Sequence, residues 1–142
     1  MGHDQKVRYL LDTHVVDWAQ MDEIRLSAKA LAVVRDAKPG DLAISDVTLS
    51  ELARHLASGK IATRLTPEEW LQAATAGIEV LPVTREIALR AAFLDWTVAG
   101  KPHRDPCDRH IVATAVEHRL PLLTIDEKMH GLAGIPGLKV IW

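Results

Sequence analysis

One cysteine, one tyrosine and one phenylalanine occur among the 142 residues, and no apolar run approaches the length of a membrane span, which needs roughly 20 residues. Cys107 alone cannot close an internal disulfide, so a disulfide scaffold is excluded. Met1-Gly2 is followed by charged residues rather than an apolar signal segment, and Lys6 stands where a myristoylation signal needs Ser or Thr. These absences predict a cytoplasmic protein with no membrane association. A basic excess is missing too: 17 Lys and Arg face 19 Asp and Glu, for a formal charge of -2. Domains that hold nucleic acid by bulk electrostatics carry the opposite balance. Any nucleic-acid contact is therefore local or metal-mediated. What is present, 48% apolar and 25% charged residues, suits one globular domain with its own core over residues 1–142.

Along the chain, strands and helices alternate. Val7 to Leu11 is short, apolar and β-rich and ends at Asp12-Thr13, as a buried strand does. A helix is expected from His14 to Gln20, and a second, opened by Leu26-Ser27, runs through Leu31 and Val34 and stops before Pro39-Gly40. Asp41 to Ser45 reads as a strand, and Val47 to Ser58 as a helix with Leu49, Leu52 and Leu56 at helical spacing. Thr66-Pro67-Glu68-Glu69 supplies an N-cap, a first-turn proline and a capping-box Glu for a helix to about Ala76. Ile78 to Val83 is expected to be a strand, Thr84 to cap a helix through Ile87, Leu89 and Leu94, and Ala99 to Pro106 to be a polar loop. Asp108 to His118 reads as helix, with Leu120 to Ile125 and Leu138 to Trp142 as strands. The alternation predicts an α/β fold with a mainly parallel sheet and no second domain.

In open parallel sheets, ligand sites lie beyond the carboxyl ends of the strands. Several acids fall there. Asp12 closes the first strand, Asp126 follows Leu122-Leu123-Thr124-Ile125, and Asp105 and Asp108 stand at the start of the helix between. Asp at such junctions commonly caps a helix or makes a turn, so each acid alone is explained without chemistry. Glu51 is not placed to cap anything. It sits between Leu49 and Leu52 on a helix that follows a buried strand, and a cation is expected nearby. Four carboxylates in one small volume repel one another unless positive charge compensates. An all-oxygen set suits magnesium or manganese, whereas His14 and Cys107 match no zinc spacing.

These residues resemble the PIN-domain nucleases, and in particular the VapC-like toxins of bacterial type II toxin–antitoxin pairs. Tyr9-Leu10-Leu11-Asp12-Thr13-His14-Val15-Val16-Asp17-Trp18 is similar to the opening strand and helix of that family. His-Arg-Asp-Pro-Cys-Asp-Arg at 103 to 109 resembles its third acidic motif, and Leu120-Pro121-Leu122-Leu123-Thr124-Ile125-Asp126 its fourth. The terminal Gly137 to Trp142 is similar too, so the resemblance spans nearly the whole chain. It implies a three-layer α/β/α sandwich around a mainly parallel sheet. It also implies a metal pocket of Asp12, Glu51, Asp108 and Asp126, with Asp105 as an accessory acid; either acid of the third motif can be the core one. Leu49-Ser50-Glu51 departs from the family in lacking an aromatic residue just before the Glu. The implied activity is endoribonuclease with Mg2+ or Mn2+, one or two ions activating water and stabilising the leaving 3'-oxygen of an in-line displacement. The implied partners are RNA, a small cognate antitoxin and a second copy of the chain. An arginine inserted by the antitoxin could compete with metal for the carboxylates.

Around the acids, Thr13 and Thr124 are candidates to hydrogen-bond the ligating carboxylates, or simply β-formers and caps. Lys101, His103, Arg104 and Arg109 crowd the third motif and could meet RNA phosphates, with Arg54, His55 and Lys60 as a second possible track. Most of Trp18, Trp70, Trp96 and Trp142 are expected to be core or interface anchors, and Cys107 a small apolar filler. Rival readings fail on particulars. A haloacid-dehalogenase-type phosphotransferase needs an Asp where His14 stands, and a receiver domain needs an acidic pair before the first helix. The glycines from Gly131 to Gly137 have neither phosphate-loop spacing nor a helix to open. A housekeeping RNA-processing nuclease of the same fold, or a non-catalytic binding module, are the alternatives; the module would be expected to have lost pocket acids, and all are present.

Overall fold

The computed structural model describes residues 6–98 and 100–142; the segment Met1 to Gln5 read above for a signal or myristoylation motif lies outside the described residues. Three strands begin from the chain's apolar segments. These are β1 (Tyr9–Leu11), β2 (Leu42–Ser45) and β3 (Glu79–Leu81), joined later by β6 (Leu122–Leu123) and β7 (Val140–Ile141). They form one sheet in the order β3-β2-β1-β6-β7, with every neighbouring pair parallel. Parallel pairing demands crossovers, and helices supply them. They are α1 (Thr13–Met21), α2 (Ala28–Asp36), α3 (Asp46–Ala57), α4 (Pro67–Ala74), α5 (Arg85–Phe93), α6 (Pro106–His118) and the short α7 (Glu127–His130).

Side chains of a strand alternate between its faces, and here the alternation separates two cores. Leu11, Leu42, Ile44, Leu123 and Ile141 point to one face, where Val15 and Val16 of α1, Leu52 of α3 and Trp70 of α4 cover them. Leu10, Ala43 and Leu122 point to the other, against Ile111, Val112 and Ala115 of α6 and Met129 of α7. Ile87 and Ala91 of α5 pack on Ala113 of α6 beyond this second layer. The result is the expected α/β/α sandwich. Among the described residues no helix is long and apolar enough to cross a membrane.

Several boundaries differ from the sequence expectation. The expected loop from 99 to 106 contains β5 (Lys101–Pro102), which pairs antiparallel with β4 (Thr97–Val98) just before the loop, and α6 begins two residues early because Asp105 caps it ahead of Pro106. The last two strands of the main sheet shrink to two residues each, since only those residues pair. A short helix, α7, replaces the expected turn at Asp126, whose side chain caps it by accepting from the Lys128 amide. Leu89, read as one of the apolar residues of α5, is 60% exposed, and Phe93 is 82% exposed; Ile87 and Ala91 are buried against Ala113 of α6, and Arg90 pairs with Glu117 of that helix.

Candidate active site

Asp12 leaves β1 at the carboxyl end of the sheet, with its amide donating to the carbonyl of Leu123 across the β1–β6 ladder at 3.0 Å. That pairing brings the residues after β6 beside it. Although Asp12 is only 3% exposed, both of its carboxylate oxygens are engaged. Oδ1 accepts the Thr13 amide at 2.7 Å, and Oδ2 accepts the Thr124 hydroxyl at 2.7 Å. Thr124 in turn accepts the Asp126 amide at 3.0 Å, so one threonine ties the two acidic strand ends together. Burial pushes the Asp12 carboxyl above its ordinary value, and the Thr124 hydrogen bond and the nearby His14 oppose the rise.

From the next crossover, α3 brings Thr48 and Glu51, one helical turn apart, towards Thr13. Thr13 Oγ1 donates to Glu51 Oε1 at 2.6 Å and lies 3.1 Å from Thr48 Oγ1. With its single proton given to the carboxylate, Thr13 accepts from Thr48. The partner expected for Glu51 was a cation; among the described residues it is a hydroxyl. Sequence reasoning passed over Thr48, whose type and helical position carry no chemistry until Thr13 is placed opposite it.

Helix α6 separates the roles of its two acids. Asp105 is exposed and caps the helix, its Oδ1 accepting the amides of Cys107 and Asp108 at 2.9 and 3.2 Å. Asp108 is half-buried, and its carboxyl is pushed up to about 8 by that burial and by the like charges of Asp105, Asp12, Asp126 and Glu51. The four other acids thus bear on one group. Asp108 Oδ2 lies 2.9 Å from Nε2 of His103, which is 6% exposed. The reading of His103 as a phosphate contact is therefore corrected: the imidazole is buried against an acid. Arg109 is also partly committed, its Nε donating to the His103 carbonyl at 2.7 Å and its guanidinium lying 5.5 Å from the Trp96 ring. Lys101 and Arg104 remain exposed beside it.

At the rim, the exposed His14 ring stands 5.8 Å from Trp18 and 6.4 Å from His55. Arg54 reaches from α3 to the Cys107 thiol of α6 at 3.7 Å, and burial raises that thiol's pKa. Trp18, Trp70 and Trp96 are buried, as expected of anchors. Among the described residues no three acidic, histidine or cysteine side chains converge closely enough to enclose an ion. Asp126 and Glu51 are instead held by the hydrogen bonds given above.

A parallel sheet with four acids gathered past its carboxyl ends defines a class, and comparison with known proteins agrees. The PIN domain model matches residues 9–135. The chain belongs to the PIN-domain family. It is 32% identical over 120 residues to Ribonuclease VapC22 of Mycobacterium tuberculosis, covering 84% of this chain and 88% of that protein. Among solved structures, VapBC-5, a member of the VapBC family of toxin–antitoxin systems from the same species, is 27% identical with a TM-score of 0.64, covering 96% of this chain and 98% of that one. A toxin–antitoxin complex from Klebsiella pneumoniae is 25% identical with a TM-score of 0.62, covering 92% and 94%.

Proposed function

We propose that the protein is a metal-dependent endoribonuclease that hydrolyses RNA phosphodiester bonds and serves as the toxin of a toxin–antitoxin pair. The observation that carries this reading is that Thr124 ties Asp12 to Asp126 at the carboxyl end of the sheet, where Glu51 is held on Thr13; burial and the neighbouring acids push the Asp108 carboxyl up to about 8. Such a cluster is poised to take a divalent cation, which would relieve the repulsion. Asp12, Glu51, Asp108 and Asp126 would hold Mg2+ or Mn2+, a hard-cation donor set built of oxygen alone. When bound, the ion supplies Lewis-acid activation of the phosphate and of water, and neutralises charge on the leaving oxygen.

The chain's own residues do the positioning. Thr124 fixes Asp12 and the turn to Asp126, while Thr13, itself held by Thr48, fixes Glu51. His103 faces the Asp108 carboxyl from 2.9 Å and holds its orientation. Lys101 and Arg104 are exposed and would meet phosphates, and Arg109 would do so through its terminal nitrogens.

A small antitoxin is the proposed partner. Its seat would be the groove of about 280 Å³ where Val16 and Ala19 of α1, Val34 of α2 and Ala74 of α4 meet, a cleft with the apolar character an amphipathic helix requires. The same reading includes a homodimer, for which the uncovered Leu89 and Phe93 of α5 offer apolar surface. The test is growth on expression of the wild type and of Asp12→Asn, with co-purification of any upstream small gene product. Growth arrest by the wild type alone, relieved by that product, is expected. Equal growth with no bound partner would favour a housekeeping RNA-processing nuclease.

A further inference from the structure

A group of basic side chains gathers at the end of the sheet opposite Asp12 and Asp126. A groove of about 780 Å³ is lined by Lys6, Arg8, Lys29, His118, Arg119 and Lys139. Lys6 and Arg8 lead into β1, His118 and Arg119 end α6 just before β6, and Lys139 precedes β7. Backbone pairing fixes their common level. The Leu10 amide donates to the Pro121 carbonyl at 2.9 Å and the Leu122 amide to the Lys139 carbonyl at 2.8 Å, both at the strands' amino ends. Because every strand of the main sheet is parallel, that edge is opposite the one carrying Asp12 and Asp126.

Five of the chain's 17 Lys and Arg thus share one groove in a protein of net charge -2. Among the described residues no acidic side chain lines it. Arg8 is the only one of the six within ion-pair distance of a carboxylate among the described residues, and Asp41 is 4.0 Å from it. The other four Lys and Arg side chains are exposed. Tyr9 and Pro121 contribute to the floor between them.

We propose that this groove binds the phosphodiester backbone of RNA outside the cleavage site, an inference that rests on the ribonuclease reading above. Flexible cations along an open groove suit a linear polyanion, which needs charge at intervals and no recognition of base edges. The acidic pocket repels RNA whenever it lacks a cation, and Lys101, Arg104 and Arg109 beside it would reach only phosphates near the cleavage site. The groove adds a second grip at the far edge of the sheet. The groove therefore matters for long RNA that reaches around the domain and not for a short oligonucleotide.

The experiment measures binding of a long single-stranded RNA in chelator, as a function of salt, for wild type and for Lys29→Glu/Lys139→Glu, with Lys29→Gln/Lys139→Gln as a milder pair. Each lost phosphate contact lowers the slope of log affinity against log salt by about 0.7 for a single strand. A slope smaller by about 1.4 is expected for either pair, with a larger affinity loss for the Glu pair. Cleavage of long RNA rises in KM, while a short oligonucleotide is cut as by wild type. Unchanged affinity and slope in both pairs would overturn the proposal. So would displacement of the RNA by ATP at low concentration, which would mark a small-phosphate site. If wild type cuts no RNA with metal yet loses RNA binding in both pairs, the groove stands and the ribonuclease reading falls.

Discussion

Asp12 keeps a carboxylate at 3% exposure because the Thr13 amide and the Thr124 hydroxyl each engage one of its oxygens. Removing the Thr124 hydroxyl leaves a buried carboxylate oxygen without its partner. Thr124→Val is expected to lower metal affinity or cleavage about 10–100-fold, the range for groups that orient ligands; metal titration of the folded variant checks it, and wild-type affinity would count against the role. Asp108 gives a prediction of opposite sign for stability and activity. Its folded value of about 8 lies above the ordinary 3.8, so the folded state binds the proton more tightly than the unfolded chain. The stability linked to it is complete below about pH 4 and is lost as pH rises through about 8. In chelator, Asp108→Asn should therefore unfold at a higher temperature than wild type at about pH 8–9, by about 3–5 °C for a change near 1 kcal/mol in a domain of this size. That gap should close towards acid pH while cleavage is lost at every pH. A thermal-unfolding series across pH reads both, and a gap that widens in acid would reverse the electrostatic assignment.

At the scale of elements, the caps were legible because they are local. Thr66 and Glu69 form the expected capping box on α4, with the Glu69 amide donating to Thr66 at 3.1 Å and the Thr66 amide to Glu69 at 2.9 Å. Thr66→Ala should cost about 1 kcal/mol, read as a lower urea midpoint with an unchanged slope and unchanged cleavage. The hairpin β4–β5 was not legible, since two-residue strands have no periodicity to detect. Helix α7 hid for a similar reason: four residues make one turn, and its Asp126 cap reads equally well as a turn residue. Leu89 misled the reading of α5 because the buried apolar contact with α6 is made by Ile87 and Ala91. Within the site, Asp12, Asp108 and Asp126 follow from strand ends and the sheet rule, whereas the His103–Asp108 contact and the Thr48–Thr13–Glu51 chain depend on tertiary placement that no spacing encodes.

For the molecule as a whole, parallel pairing of all five main strands gives the sheet two unlike ends. Crossovers deliver Asp12, Glu51, Asp108 and Asp126 to the carboxyl end, and the chain's returns leave Lys6, Arg119 and Lys139 at the other. The central claim is that the acidic end, once loaded with a divalent cation, cuts RNA. The most direct measurement is cleavage of a defined RNA by purified wild type and Asp126→Asn, each with Mg2+ or Mn2+ and each with excess chelator, followed by identification of the product ends. The account predicts cleavage by wild type only with metal, leaving a 5'-phosphate and a 3'-hydroxyl, and almost none by Asp126→Asn under any condition. Wild-type cleavage that survives thorough chelation, or an Asp126→Asn variant as active as wild type, would contradict it.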